Sequence, residues 1–318
     1  MDTEKIKELA QRIRANIGRV LVGKEAVTDL LIVALLCRGH VLVEDVPGTG
    51  KTMLAKSLAK SVDASFCRVQ FTPDLLPSDI TGINFFNLKH SEFEFMPGPV
   101  FANFVLADEI NRATPKTQSG LLESMEEHQV TIDGQTRVLQ EPFMVIATQN
   151  PVETQGTFPL PEAQLDRFLL KINMKYPTRA EGKAILERFL HDEPFDTLQT
   201  AVTKDEILEA QRDVKAVFVH PVLMEYIVTI VEETRRHDNV DLGVSPRGCL
   251  SLMKAAQAFA AIQGRSFVLP DDIKAVSLSV LRHRLILKSM ARLEEGAETE
   301  IVEEILNRVP VPTEDFRS

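Results

Sequence analysis

DVPGTGKT, residues 45–52, lies between an apolar run, His40 to Glu44, and a helical stretch that begins near Lys51. Gly48 and Gly50 free the backbone to curl its N–H groups around phosphate oxygens, and the following helix aims its positive end at the same anion. On this reading Lys51 reaches the β- and γ-phosphates of a nucleotide, and the Thr52 hydroxyl ligates Mg²⁺. The stretch departs from GxxxxGK[ST] at one place, where Asp45 takes the first glycine position. Asp tolerates left-handed backbone better than most residues, so the turn is expected to survive. A bland glycine-rich turn is the plainer alternative, but it would not also place Lys-Thr at a helix start after an apolar strand.

Outward from this loop, FVLADE at 104–109 is a second apolar run, and it delivers two carboxylates to its carboxyl end. In a parallel sheet that end is the ligand edge. Asp108 is placed to hold Mg²⁺ directly or through water, and Glu109 to orient the attacking water or take its proton. Alone, a strand ending in Asp-Glu is usually a solvated strand end; the phosphate loop upstream reverses that weighting. Further β-rich runs at Cys67 to Phe71, Phe143 to Thr148 and Phe168 to Met174 alternate with helical stretches, the rhythm of a parallel sheet with crossover helices. Ahead of them Ile6, Leu9, Ala10, Ile13, Ile17 and Val20 form the stripe of an amphipathic helix that ends at a Val22-Gly23 turn.

After Pro177 the β-runs stop. Stripes at Leu223, Tyr226, Ile227, Ile230 and Val231, then at Leu252, Met253, Ala256, Phe259 and Ala260, then at Ile273, Val276 and Val280 predict a separate helical domain. His191 to Thr197 reads as the linker, which gives an α/β core over 1–192 and a helical domain over 198–318.

Composition narrows the function classes. At roughly 100 to 200 residues per domain, 318 residues suggest two domains. Hydrophobic residues at 44% and charged residues at 26% exclude a chain that is disordered throughout. The longest uncharged apolar run, Leu30 to Cys37, falls short of the roughly 18 residues that cross a bilayer, and MDTEKIKELAQ has no apolar signal core, so a cytoplasmic protein without a membrane span is expected. Lys plus Arg at 36 against Asp plus Glu at 46 gives 36 − 46 = −10, which opposes generic attraction to nucleic acid. Cys37, Cys67 and Cys249 lack CxxC spacing and are expected to be buried, reduced thiols.

Four further stretches carry a specific likeness: QFTPDLLPSDITG (70–82), PGPVFANFVLADEINRATPKTQSGLLESMEE (97–127), ATQNP (147–151) and LPEAQLDRF (160–168). In combination they resemble the characteristic stretches of the MoxR family of AAA+ ATPases, and the likeness covers essentially the whole chain. The resemblance implies a P-loop AAA+ core of α/β type followed by an all-α lid, with ATP and Mg²⁺ as cofactors. Pro47, Gly48, Thr49, Gly50, Lys51, Thr52 and Met53 would hold the nucleotide, with Thr52 and Asp108 at the metal. Val22-Gly23 either cradles adenine, as the resemblance implies, or simply caps the first helix.

Three polar residues gain roles from the same resemblance. Asn150 precedes a proline that excludes helical geometry, and its neutral amide can bond the γ-phosphate or the attacking water without neutralising Glu109. It is similar to sensor 1, with a turn-forming Asn-Pro as the alternative. Arg167 in LDRF resembles an arginine finger that completes a neighbouring subunit's site; by itself Asp166–Arg167 would read as an exposed pair of little energetic worth. In VSPRG, residues 244–248, Ser245 can cap a helix that starts at Pro246, which puts Arg247 in the first turn. A cation there opposes the helix dipole unless an anion lies nearby. The resemblance makes that anion a phosphate and Arg247 the sensor 2 of the lid, with a local Glu as the alternative.

Thr114-Pro115 predicts a helix to about His128, followed by a hairpin in QVTIDGQTRVL that turns at Asp133-Gly134. The resemblance makes this hairpin, near 129–139, a helix-2 insert close to the pore of a ring. Its side chains Thr131, Gln135 and Arg137 are expected to face outward. The implied protein is a hexameric, ATP-hydrolysing, chaperone-like remodeller in the assembly or activation of protein complexes or metalloenzymes, with partners carrying von Willebrand A domains. The competing reading, a nucleic-acid motor of a related helix-2-insert type, would call for a basic pore hairpin, and this one carries one Arg and one Asp. A scaffold that binds ATP without turnover is disfavoured by Glu109, Asn150 and Arg167.

Overall fold

The computed structural model describes residues 2–44, 48–150, 156–190, 193–294, 296–314 and 316. Helix α1 (Thr3–Val20) buries the expected stripe, and the Asp2 carboxylate accepts from the Lys5 N–H at its start. Helix α2 (Glu25–Leu36) buries six consecutive apolar residues, Leu31 to Leu36, and so lies inside the protein. The phosphate-loop unit follows: β1 (Val41–Glu44), then α3 (Lys51–Ser61). Next come β2 (Phe66–Gln70), α4 (Pro77–Thr81), an antiparallel hairpin of β3 (Gly82–Asn87) and β4 (Glu92–Pro97), and β5 (Phe104–Asp108). Helix α5 (Pro115–Glu127) leads through a second hairpin, β6 (Gln129–Ile132) and β7 (Gln135–Val138), into β8 (Met144–Gln149). A short α6 (Glu162–Leu165), β9 (Leu170–Ile172) and α7 (Arg179–Arg188) complete the α/β part.

The central sheet is parallel, in the order β2-β5-β8-β1-β9. Helices cover both faces, which is why Val41–Val43, Phe104–Ala107 and Met144–Ala147 are continuously buried rather than alternating. Alternation survives in which face each residue serves. Leu42, Val105, Ala107, Val145 and Ala147 pack with Leu121, Met125 and Phe168 on one side. Val41, Val43, Leu106 and Ile146 pack with α1, α2 and α3 on the other.

The remaining helices are α8 (Lys204–Asp213), α9 (Pro221–Arg236), α10 (Pro246–Ile262), α11 (Pro270–Leu281) and α12 (Ala297–Arg308). The helical region expected after Pro177 is present, with one addition: β10 (Val240–Leu242) and β11 (Ile286–Leu287) form a short antiparallel pair. It packs closely against the α/β part. One hydrophobic cluster runs from α1 and α2 through the sheet into α8–α12, Gln211 donates to the Leu35 carbonyl at 2.7 Å, and the Ala201 and Val202 N–H groups reach the Ser61 carbonyl at 2.9 Å.

The hairpin assignment is corrected by the order of crossovers. Helix α3 links the first pair of sheet strands in the chain, α4 the second and α5 the third, so β6–β7 follows the third crossover helix. The hairpin that interrupts the second crossover is β3–β4; no Gly-Asn turn announced it, although Glu92-Phe93-Glu94-Phe95 alternates along β4. Arg137 does not face solvent either: its guanidinium lies over the Phe95 ring of β4, 3.9 Å from the centroid, and Asn84 donates to Asp133 at 2.8 Å, so the two hairpins brace one another. The three cysteines are unpaired and half-buried, and burial pushes the Cys37 thiol up to about 12.

His40, at the entry to β1, is buried; its Nδ1 accepts from the Val145 N–H at 2.9 Å and its Nε2 lies 3.0 Å from the Met125 carbonyl. Burial holds its imidazole down to about 4, against 6.5 when exposed, and His283 is likewise held well below its ordinary value. The unfolded chain therefore takes up these protons first, so this stabilisation is complete above about pH 6.5 and is lost as pH falls towards 4. Urea unfolding midpoints should drop between pH 7 and pH 5, and His40→Asn should flatten that dependence even as it lowers stability overall. An equally steep drop in the variant would remove His40 as a cause.

Candidate functional site

The carboxyl ends of β1, β5 and β8 lie side by side, with Glu44 in register with Gln149 and Gln70 with Asp108. Asp45 and Pro47 lie outside the described residues, as does Pro151 after Asn150. Gly48 and Gly50 both have positive φ, +84° and +93°, the conformation that curls a phosphate loop and that a side chain would oppose. Gly50 is the cap of α3, so Lys51 and Thr52 occupy its first turn without any acidic residue to compete for its N–H groups.

A cleft of about 410 Å³ opens at this edge, lined by the loop, by Lys51, Thr52 and Met53, and by Asp108, Glu109 and Asn150. Thr148, Arg68 and Gln70 complete it and were not legible in the sequence. The Thr148 hydroxyl donates to Asp108 Oδ1 at 2.6 Å and accepts from the Glu109 N–H at 2.9 Å, which ties the Asp108 carboxylate and the Glu109 backbone to β8. Arg68 donates through Nε and Nη2 to Asp108 Oδ2, at 3.0 and 2.7 Å. Gln70 Nε2 donates to Glu109 Oε2 at 2.7 Å, and Arg112 Nε stands 2.9 Å from the same oxygen. Arg68 and Gln70 are two apart on β2 and so share the face that ends at the cleft; that polar pair at a strand's carboxyl end was the available signal.

Glu109 has φ +57° and ψ +49°, left-handed backbone on a non-glycine residue. Such a conformation costs on the order of 1 kcal/mol or more and persists where neighbours hold it, here the Thr148, Gln70 and Arg112 contacts. It turns the carboxylate off the line of β5.

A second cavity, about 180 Å³ and mostly apolar, adjoins the first and shares Gly48, Gly50 and Met53 with it. Val20, Leu21, Val22, Pro177, Ile185 and Phe189 form its walls. Lys24 Nζ donates to the Met174 and Lys175 carbonyls at 2.6 and 2.9 Å, which pins the Val22-Gly23 turn to the exit of β9. Gly23 lies behind Val22 with φ +67°, a conformation that favours glycine, and the Glu181 carboxylate occupies the place of a Cβ there. The paired cavities suit a nucleotide in polarity, with an apolar end for a base, a lysine and glycine N–H groups for a triphosphate, and two carboxylates beside them for a metal ion and a water. Thr52 and Asp108 offer the all-oxygen donors that Mg²⁺ takes.

Arg167 and Arg247 line neither cavity. Ser245 caps α10 as expected, accepting from the Gly248 N–H at 3.3 Å. The anion that meets Arg247 is the Glu126 carboxylate, 2.7 Å from Nη2. Arg167 Nε lies 3.1 Å from the other oxygen of Glu126. Asp166 is no idle neighbour: buried Arg284 donates to it at 2.6 Å and Ser245 Oγ at 3.2 Å, which ties the LDRF segment to the start of α10.

A glycine-bearing turn from β1 into α3, paired carboxylates at the end of β5, an amide after β8 and a helical region packed behind them fit an AAA-type ATPase fold. In agreement, residues 40–170 match the family described as ATPase family associated with various cellular activities (AAA), and residues 232–305 match the AAA lid domain. Chaperone MoxR1 of Mycobacterium tuberculosis is 40% identical over 95% of this chain and 82% of its own, and Uncharacterized protein YeaC of Bacillus subtilis is 51% identical over 98% and 97%. A crystal structure of a provisionally assigned ATPase from Cytophaga hutchinsonii superposes with a TM-score of 0.89 at 39% identity, covering 98% of both chains. The chain belongs to the MoxR family of AAA+ ATPases.

Proposed function

We propose that this protein binds MgATP in the paired cavities and hydrolyses it, working as a ring, hexameric by resemblance, that remodels protein clients in the assembly or activation of complexes or metalloenzymes. The observation that carries the hydrolytic part is the convergence of Lys51, Thr52, Asp108, Glu109 and Asn150 on one cleft. Val22, Gly48, Thr49, Gly50 and Met53 hold base and phosphates, and Thr52 with Asp108 holds Mg²⁺. Bound there, the metal ion neutralises charge on the phosphate oxygens. Glu109, raised off its strand by left-handed backbone, orients water and takes its proton, while the Asn150 amide positions the same water. Arg167 and Arg247 line neither cavity of their own subunit and meet instead on Glu126, which supports their acting on a neighbouring subunit's nucleotide.

The protein-remodelling part rests on relatives, one of them named a chaperone, and on charge. Partners with von Willebrand A domains follow from the resemblance, and a cytoplasmic location from the sequence reading; among the described residues no helix is long and apolar enough to cross a membrane. With a net charge of −10, MgATP turnover should be insensitive to DNA or RNA. Nucleic-acid affinity should lack the steep salt dependence, orders of magnitude between low and physiological salt, of a protein that neutralises several phosphates. A client protein should change turnover, and less so when the Asp133-Gly134 tip is altered. Several-fold stimulation by single- or double-stranded DNA at physiological salt would replace this reading with a nucleic-acid motor.

A further inference from the structure

Glu126 sits in the last turn of α5 and holds two guanidiniums at once, one per carboxylate oxygen: Arg167 from the LDRF segment at 3.1 Å and Arg247 from the first turn of α10 at 2.7 Å. Three separate elements meet at this side chain, yet it lies outside both cavities. Two guanidiniums brought this close repel one another, and the carboxylate between them offsets that repulsion. It engages Arg167 through Nε and Arg247 through a single Nη, which leaves the outer donors of both forks for another acceptor. All three side chains are part-exposed, from 29% to 49%, so the cluster faces the surface rather than the core.

We propose that Glu126 is a positioning residue that assembles Arg167 and Arg247 into one two-pronged receptor for the triphosphate bound by a neighbouring copy of this chain. The inference rests on the reading of Arg167 as acting on the neighbour. An arginine pair docked on a shared carboxylate gives up little side-chain freedom when phosphate arrives, and the single negative charge leaves the cluster net positive towards it. The position of Glu126 also sets the direction of the effect: it serves the donor face of a subunit and not that subunit's own cleft.

The test is steady-state ATP hydrolysis by full-length Glu126→Gln, alone and mixed with other variants, alongside nucleotide binding. Glu126→Gln keeps the shape and removes the charge, so it should bind nucleotide like the wild type and turn over about tenfold more slowly at saturating ATP and protein, as for a preorganised contact made to the transition state. Glu126→Asp should fall between the two. Mixed with Lys51→Ala subunits, Glu126→Gln should regain activity, because its cleft is intact and the Lys51→Ala neighbour brings an intact arginine pair. Mixed with Arg167→Ala subunits it should not, since both defects lie on the same face. A merely structural role would not sort by partner in this way. A wild-type rate in Glu126→Gln, or recovery with Arg167→Ala, overturns the proposal. If wild type and Arg167→Ala hydrolyse ATP alike, the in-trans reading has itself failed, and the proposal falls with it for that separate reason.

Discussion

Glu109→Gln is expected to bind ATP normally and to lose at least about a hundredfold in turnover, the lower end of what a positioned general base contributes. The substitution is nearly isosteric, so the Gln70 Nε2 donor keeps an acceptor in place of Oε2, to which it now lies at 2.7 Å. The left-handed backbone that aims the side chain is likewise retained, because Thr148 holds the residue through its backbone N–H at 2.9 Å. What disappears is the capacity to take a proton. Lys51→Ala should fail in the other way. Its ammonium contributes a charge-assisted bond to phosphate worth about 1.5–3 kcal/mol, so affinity should fall roughly ten- to a hundredfold. Calorimetric titration with ATP beside a phosphate-release assay separates the two. Equal loss of binding in both variants would mean that Glu109 holds nucleotide rather than activating water, and unchanged turnover in Glu109→Gln would remove it from the chemistry altogether.

Arg167→Ala should lower hydrolysis on the order of a thousandfold, as for an arginine that stabilises charge on the transferred phosphoryl group, without weakening nucleotide binding to its own subunit. The reason is positional. Arg167 points to Glu126 and contributes nothing to its own cleft, so its loss registers only where another subunit's nucleotide meets it. Wild-type specific activity should accordingly rise with protein concentration. An equal mixture of Arg167→Ala and Lys51→Ala chains should recover activity, since with independent pairing roughly a quarter of interfaces join a sound cleft to a sound finger. Mixtures that co-assemble, as seen by sedimentation, and yet stay as inactive as their components would place Arg167 in cis or in a structural role.

The sequence by itself determined the elements whose signals are local. The turn at 48–52 and the strand Phe104–Asp108 follow from residue type and spacing over a few positions, and the three inner strands β1, β5 and β8 are buried on both faces, so each reads as a nearly continuous apolar run. Helix starts at Pro115 and Pro246 were legible for the same reason, a capping residue followed by proline. The β3–β4 hairpin was not, because neither of its faces is fully covered and Phe85 and Phe86 stand side by side on opposite faces of β3, so only Glu92-Phe93-Glu94-Phe95 of β4 keeps a period of two. Only the tertiary structure decided the surroundings of Glu109, where Gln70, 39 residues away, and the Thr148 hydroxyl converge. Only it, too, brought Arg167 and Arg247, 80 positions apart, onto the two oxygens of Glu126. A sequence records what a residue can donate or accept, but contacts between distant segments are chosen by how sheet and helices pack. That packing also merged the helical region into the core of the sheet, since α1 and α2 present apolar surface that the sheet alone does not cover.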